Sequence, residues 1–147
     1  MFRYLITKGG NISSYLISLL LTLPIILLSL SVHEASHAWM ANKLGDPTAR
    51  NLGRLTLNPF KHLDLVGFIC MLLFGFGWAN PVPVNSRYFK KPRRDMALTA
   101  AAGPLSNIVL GFIFVSLYEI SYLLTVRLFP SVAASAPMVI YVWLTFL

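Results

Sequence analysis

The sequence predicts an all-α polytopic membrane protein with three transmembrane helices, the last truncated, plus a re-entrant segment and an extended Pro-rich loop. Three observations lead there. Of the 147 residues, 56% are hydrophobic and only 12% are charged, and mean hydropathy is +0.69, whereas a soluble chain carries charge at about a quarter of its positions. The apolar residues fall into four long stretches rather than an amphipathic pattern. The charges that remain cluster between those stretches. Intrinsic disorder, which needs low hydrophobicity, and a disulfide-stapled secreted module, which needs more than the single Cys70, are excluded. The length suits one domain, residues 1–147.

The first stretch carries no formal charge over residues 9–33 and continues to Met40, ample for a spanning helix of about 20 residues, with a kink expected at Pro24. The second, residues 65–78, is 14 residues long, roughly 21 Å as a helix against a hydrocarbon core of roughly 30 Å. It is punctuated by Gly67, Gly75 and Gly77 and followed by Pro81 and Pro83. Basic residues lie on both sides of it, so a full crossing would put one basic cluster outside; a segment that enters and returns fits better, with its backbone satisfied by protein or water. The third stretch, residues 96–126, reads as a spanning helix. The fourth begins near Val132 or Pro137 and is still apolar at Leu147.

Twelve Lys and Arg against five Asp and Glu give +7. Lys43, Arg50, Arg54 and Lys61 form one basic group and Arg87, Lys90, Lys91, Arg93 and Arg94 another, each beside an apolar run. Such groups mark cytoplasmic flanks facing anionic head groups, not a nucleic-acid surface. The first helix then runs inward and the third outward, leaving Arg127 on the far side; Arg3 and Lys8 argue weakly the other way. The expected location is a cell membrane, crossed several times.

At the inner end of the first helix stands His33-Glu34-Ala35-Ser36-His37, an HExxH pattern. Residues four apart share one helix face, so both imidazoles can reach one ion, with Glu34 beside its open positions. Zinc suits two imidazoles, but a catalytic site needs a third protein ligand and a water. His33 and His37 are the metal candidates and Glu34 the general acid/base, acting on a water whose pKa zinc lowers from 15.7 to about 7. His33 lies ten residues before Lys43, roughly 15 Å along the helix and inside the apolar layer. Ionisable groups at that depth are costly, which favours function over a chance polar cluster.

With HEASHAW at 33–39, LGDPTAR at 44–50, GRLTLNPFKHLD at 53–64, GFGWANPVPVN at 75–85 and AAGPLSN at 101–107, the chain resembles the site-2 protease family of intramembrane zinc metalloproteases, in its compact prokaryotic form. The resemblance implies a zinc-dependent intramembrane endopeptidase acting on a membrane-embedded protein or peptide, with one zinc per chain on His33 and His37, Glu34 as catalytic acid/base, and the active site toward the cytoplasm. It also implies a third ligand, an Asp in a Leu-Asp-Gly motif on the next core helix, and a re-entrant β-loop. No such motif occurs here, and the fourth stretch reaches Leu147 without an Asp; the expectation is a chain lacking the C-terminal part of its domain. Asp64 and His62 stay outside the metal set: Asp64 suits a helix start, where it caps free N–H groups, and His62 a hydrogen bond in the turn after Asn58-Pro59.

Residues 78–85 cannot be helical, because Pro81 and Pro83 fix φ and push their preceding residues to extended conformations. An extended edge there could pair with an unwound substrate; an ordinary Pro-rich interfacial turn is the other reading. Gly103, Asn107 and Gly111 recur every four residues on the third stretch, a small-residue face for packing against the helix bearing His33. Asn107 could steady a substrate carbonyl or oxyanion, or make an interhelical hydrogen bond. Two rival functions stand beside the protease: a metal transporter using the same three residues as a transit site, and a catalytically inactive membrane protein without its third ligand.

Overall fold

The computed structural model describes residues 12–74 and 76–128; the fourth apolar stretch, and with it the third expected span, lies outside them. The described residues are mostly helical and contain no strand, only a single bridge between Leu63 and Ala79. Helix α1 is Ile12–Lys43, α2 is Thr48–Asn51, α3 is Leu65–Phe74 and α4 is Pro92–Leu128, with 3-10 turns at Pro59–Lys61 and Ser86–Tyr88. From Leu19 onward α1 is long and apolar enough to cross a membrane, as is α4. By its internal packing the chain divides into two units, Met1–Asn107 and Ile108–Leu147.

In the first unit, α1 is helical through Pro24 and ends where the sequence supplies its stop. Gly45, at φ 110°, lets the N–H groups of Gly45 and Asp46 return to the carbonyls of Asn42 and Ala41 (3.2 and 2.9 Å), the double bond that closes a helix on a left-handed residue. Two hydroxyls within α1 are absorbed by its own carbonyls: Ser31 donates to Leu27 (2.6 Å) and Ser36 to Val32 (2.7 Å). That removes the cost of carrying free polar groups in an apolar environment. Asp46, fully buried, then ties the turn after α1 to the loop at Asn85. Its Oδ1 accepts from the N–H (3.0 Å) and hydroxyl of Thr48, and its Oδ2 from the Asn85 N–H (2.6 Å).

Asp64 caps α3, accepting from Gly67 N–H at 2.8 Å, as expected of a helix-start acid. With 10 residues, α3 is about 15 Å long. The chain then doubles back along it. A Cβ on Gly67 would stand 2.2 Å from the Trp78 carbonyl oxygen, and one on Gly77 2.2 Å from the Gly67 carbonyl oxygen, so both glycines permit backbone to lie against backbone. The return closes where the excursion began: Leu63 bridges Ala79, Asn80 N–H donates to the His62 carbonyl at 2.8 Å, and Arg54 donates to the carbonyls of Lys61 and Asn80. Residues 76–85 are free of helix, as the two prolines require.

Helix α4 opens with Pro92, whose missing N–H costs nothing in a first turn, and with Asp95, which accepts from Lys91 N–H at 2.9 Å. Its first sixteen residues belong to the first unit. In the second unit, residues 108–128 continue the helix with apolar side chains turned outward, Phe112 being 75% exposed, and with Ser116 and Thr125 donating to the carbonyls of Phe112 and Ser121, both at 2.8 Å.

Candidate metal centre

His33 and His37 stand on one face of α1, one turn apart, as their spacing requires. Their rings meet edge to face, with centroids 4.7 Å apart and an interplanar angle of 81°, and the two Nε2 atoms lie 3.1 Å from each other. Each outer nitrogen has its own partner on α4. His37 Nδ1–H donates to the Thr99 carbonyl oxygen at 2.7 Å, and His33 Nδ1 accepts from the Asn107 amide nitrogen at 3.1 Å. Asn107 Oδ1 in turn accepts from the Ser29 hydroxyl at 3.3 Å. The Thr99 hydroxyl is not available to the site, since it donates to the Asp95 carbonyl at 2.8 Å.

Gly103 is what brings α4 so close. A Cβ there would lie 2.3 Å from His37 Nε2 and 2.6 Å from His33 Nε2. The predicted small-residue face is therefore real at Gly103 and Asn107. At Gly111, in the second unit, an added Cβ would meet nothing within 4 Å among the described residues.

The donor set fits two of the ligands of a zinc ion. Two imidazole nitrogens at 2.0–2.1 Å from a tetrahedral ion are about 3.3–3.4 Å apart, and the pair here is separated by 3.1 Å with both outer nitrogens held. Glu34, 8% exposed, does not join them. Its Oε2 accepts from the Val82 N–H at 3.2 Å, and among the described residues no three His, Cys, Asp or Glu side chains are grouped to hold a metal. The three predicted residues thus separate by role: two imidazoles converge, while the carboxylate beside them is held by the Pro-rich loop.

The residues kept out of the metal set sit elsewhere. His62 is fully buried and its Nε2–H donates to the Thr56 carbonyl at 2.9 Å, while Asp64 is occupied as the cap of α3. Four contributors carried little sequence signal. Ser29 precedes His33 by one turn on an apolar helix, which is a readable hint. Val82 supplies the only backbone donor in Pro81-Val82-Pro83, which the sequence also shows. Thr99 acts through its carbonyl, which no side-chain pattern reveals, and Asp46 acts at a distance by holding the loop at Asn85.

The chain is similar to "Putative zinc metalloprotease YwhC" of Bacillus subtilis (strain 168), with 56% identity over 88 residues, 60% of this chain and 40% of that protein. It is also similar to "Putative zinc metalloprotease Rip2" of Mycolicibacterium smegmatis, with 31% identity over 96 residues, 62% of this chain and 37% of that protein. The matched region spans about two-fifths of the length of these curated relatives. No family model matches the chain, and no solved structure matches it.

Proposed function

We propose that this chain, which is similar to two putative zinc metalloproteases, forms the zinc-bearing core of a site-2 type intramembrane endopeptidase, holding one zinc ion per chain and hydrolysing peptide bonds in membrane-embedded protein segments. The observation that carries the proposal is the convergence of two imidazole nitrogens, each fixed from behind, inside an apolar helix and next to a carboxylate. His33 and His37 would hold the ion. When bound, zinc supplies Lewis acidity that polarises the scissile carbonyl and acidifies water.

Glu34 is the group that moves the proton. Its carboxylate takes one from the attacking water as the C–O bond forms and returns it to the amide nitrogen as the C–N bond breaks. Burial suits that task, because a carboxylate with little access to solvent keeps its proton transfers to the reacting groups. The Val82 N–H aims the carboxylate from the loop side, and Asp46 and Arg54 fix that loop to the end of α1 and to the turn before α3. Among the described residues no third His, Cys, Asp or Glu joins the pair.

In the same reading, α1 and α4 cross the bilayer and the basic residues between them face the cytoplasm. Residues 64–79 form the re-entrant element: α3 is too short to cross, its side chains Leu65, Val66, Ile69, Leu73 and Phe74 are exposed, and the two ends of the excursion meet at Leu63 and Ala79. The site then opens toward the cytoplasmic side, with the bilayer and a transmembrane substrate as its partners. Glu34→Gln in the full-length protein tests the proposal. We expect cleavage of a membrane-embedded substrate to fall by about 10²–10⁴-fold while zinc stays bound; unchanged proteolysis would overturn the assignment.

A further inference from the structure

The hydrogen bonds around the two imidazoles run in one direction. The Thr99 carbonyl can only accept, so His37 carries its proton on Nδ1 and presents a bare Nε2. His33 Nε2, 3.1 Å away, must then be the donor between the rings. That leaves His33 Nδ1 bare, and the Asn107 amide nitrogen, which can only donate, satisfies it at 3.1 Å while Ser29 donates to the amide oxygen at 3.3 Å. Protons therefore point from Ser29 through Asn107, His33 and His37 to Thr99 without a conflict. Asn107 is consumed by this chain as an interhelical connector.

A zinc ion on both Nε2 atoms is incompatible with this order at one place only. His37 already has the required tautomer. His33 does not: coordinating as neutral imidazole through Nε2, it must carry its proton on Nδ1, and the group facing Nδ1 must then accept. Asn107 can do so by a half-turn of its carboxamide, which exchanges oxygen and nitrogen at nearly constant shape. Ser29 completes the exchange, since a hydroxyl accepts from the amide nitrogen as readily as it donates to the oxygen.

We infer that Asn107 is a positioning residue for the zinc site: with the ion on His33 Nε2, its carboxamide, turned over, accepts from His33 Nδ1–H and fixes that ring. This rests on the zinc reading above and adds to it a role for Asn107 that involves no contact with substrate.

The variants separate donor from acceptor. In the full-length protein, zinc affinity is measured by competition with a chromophoric chelator, using Zn2+ as the probe. Asn107→Leu should weaken binding by about 10–100-fold, the usual effect of removing the hydrogen-bond partner of a ligating imidazole. Asn107→Asp, which can accept but not donate, should restore affinity to within a few-fold of wild type. Nitrogen-15 spectra of labelled histidine should place the His33 proton on Nδ1 when zinc is bound, and this readout stands even if the Leu variant fails to fold. Wild-type affinity in the Leu variant, an Asp variant as weak as Leu, or a His33 proton on Nε2 with zinc bound would each overturn the inference while leaving the zinc site intact. Absence of zinc binding in the wild type would instead overturn the zinc reading itself.

Discussion

Two nitrogen atoms 3.1 Å apart decide what this helix can do, and a glycine decides whether they can be there. At Gly103 an added methyl would lie 2.3 Å from His37 Nε2, far inside contact distance. The group it meets is the tip of a side chain rather than backbone, so α4 can stay in place if the rings turn away. Gly103→Ala is therefore expected to leave helical content near wild type and to reduce zinc bound per chain to well below one, read by metal analysis of the purified variant. Full zinc content in a folded Ala variant would show that the close approach of α4 is incidental. The pairing of His33 and His37 was legible because helical spacing alone puts residues i and i+4 on one face. Their supports were legible only in part. Asn107 could be singled out as a polar residue on a small-residue face, but its choice between substrate and interhelical partner depends on which atom it faces. The Thr99 carbonyl leaves no trace in a sequence.

At the level of elements, the structure uses short polar anchors to hold an extended loop against helices. Gly67 and Asp46 are the two that single substitutions can test. A Cβ on Gly67 would meet Trp78 backbone at 2.2 and 2.9 Å, and neither element can give way without losing the Leu63–Ala79 closure. Gly67→Ala should lower the thermal midpoint in detergent and open residues 76–80 to proteolysis, and a variant as resistant as wild type would contradict the packing described. At Asp46, burial of the carboxyl pushes its pKa up, but the Thr48 hydroxyl and the N–H groups of Asn85 and Thr48 outweigh this and hold it below the ordinary carboxylate value. A depressed folded-state pKa contributes stability above the unfolded value of about 3.9, lost as pH falls through the lower folded value. The thermal midpoint should accordingly drop on acidification below about pH 4, and Asp46→Asn should flatten that drop. At neutral pH the same variant should be destabilised by roughly 1–3 kcal/mol, because an amide cannot accept on both sides and leaves one buried N–H unpaired. An unchanged acid limb in Asp46→Asn would remove Asp46 as its source. Prolines foretold the break from helix after α3, and the glycines hinted at a return. The burial of Asp46 could not be read, because an Asp after a helix-ending Gly is ordinarily a solvated turn residue.

For the whole molecule, composition announced a membrane protein and the described residues agree in kind: two helices are long and apolar enough to span, and large apolar side chains such as Leu20 and Phe112 are 73% and 75% exposed. A soluble helix would bury them. The third span was predicted on a stretch that falls outside the described residues, and no motif for a third zinc ligand was found in the sequence, while the curated relatives are about two and a half times as long as the matched region. Length thus sets the boundary of what was legible: local patterns fixed the His pair, the caps and the loop, whereas ligands brought by distant segments leave no local mark. The central claim, that Glu34 is the proton carrier of a zinc peptidase, is tested most directly by assaying cleavage and zinc content in the same reconstituted samples of full-length wild type and Glu34→Gln. The prediction is a wild type that cuts a membrane-embedded peptide with one zinc per chain, and a Gln variant that keeps its zinc and cuts about 10²–10⁴-fold more slowly. Equal cutting by the two would contradict the account.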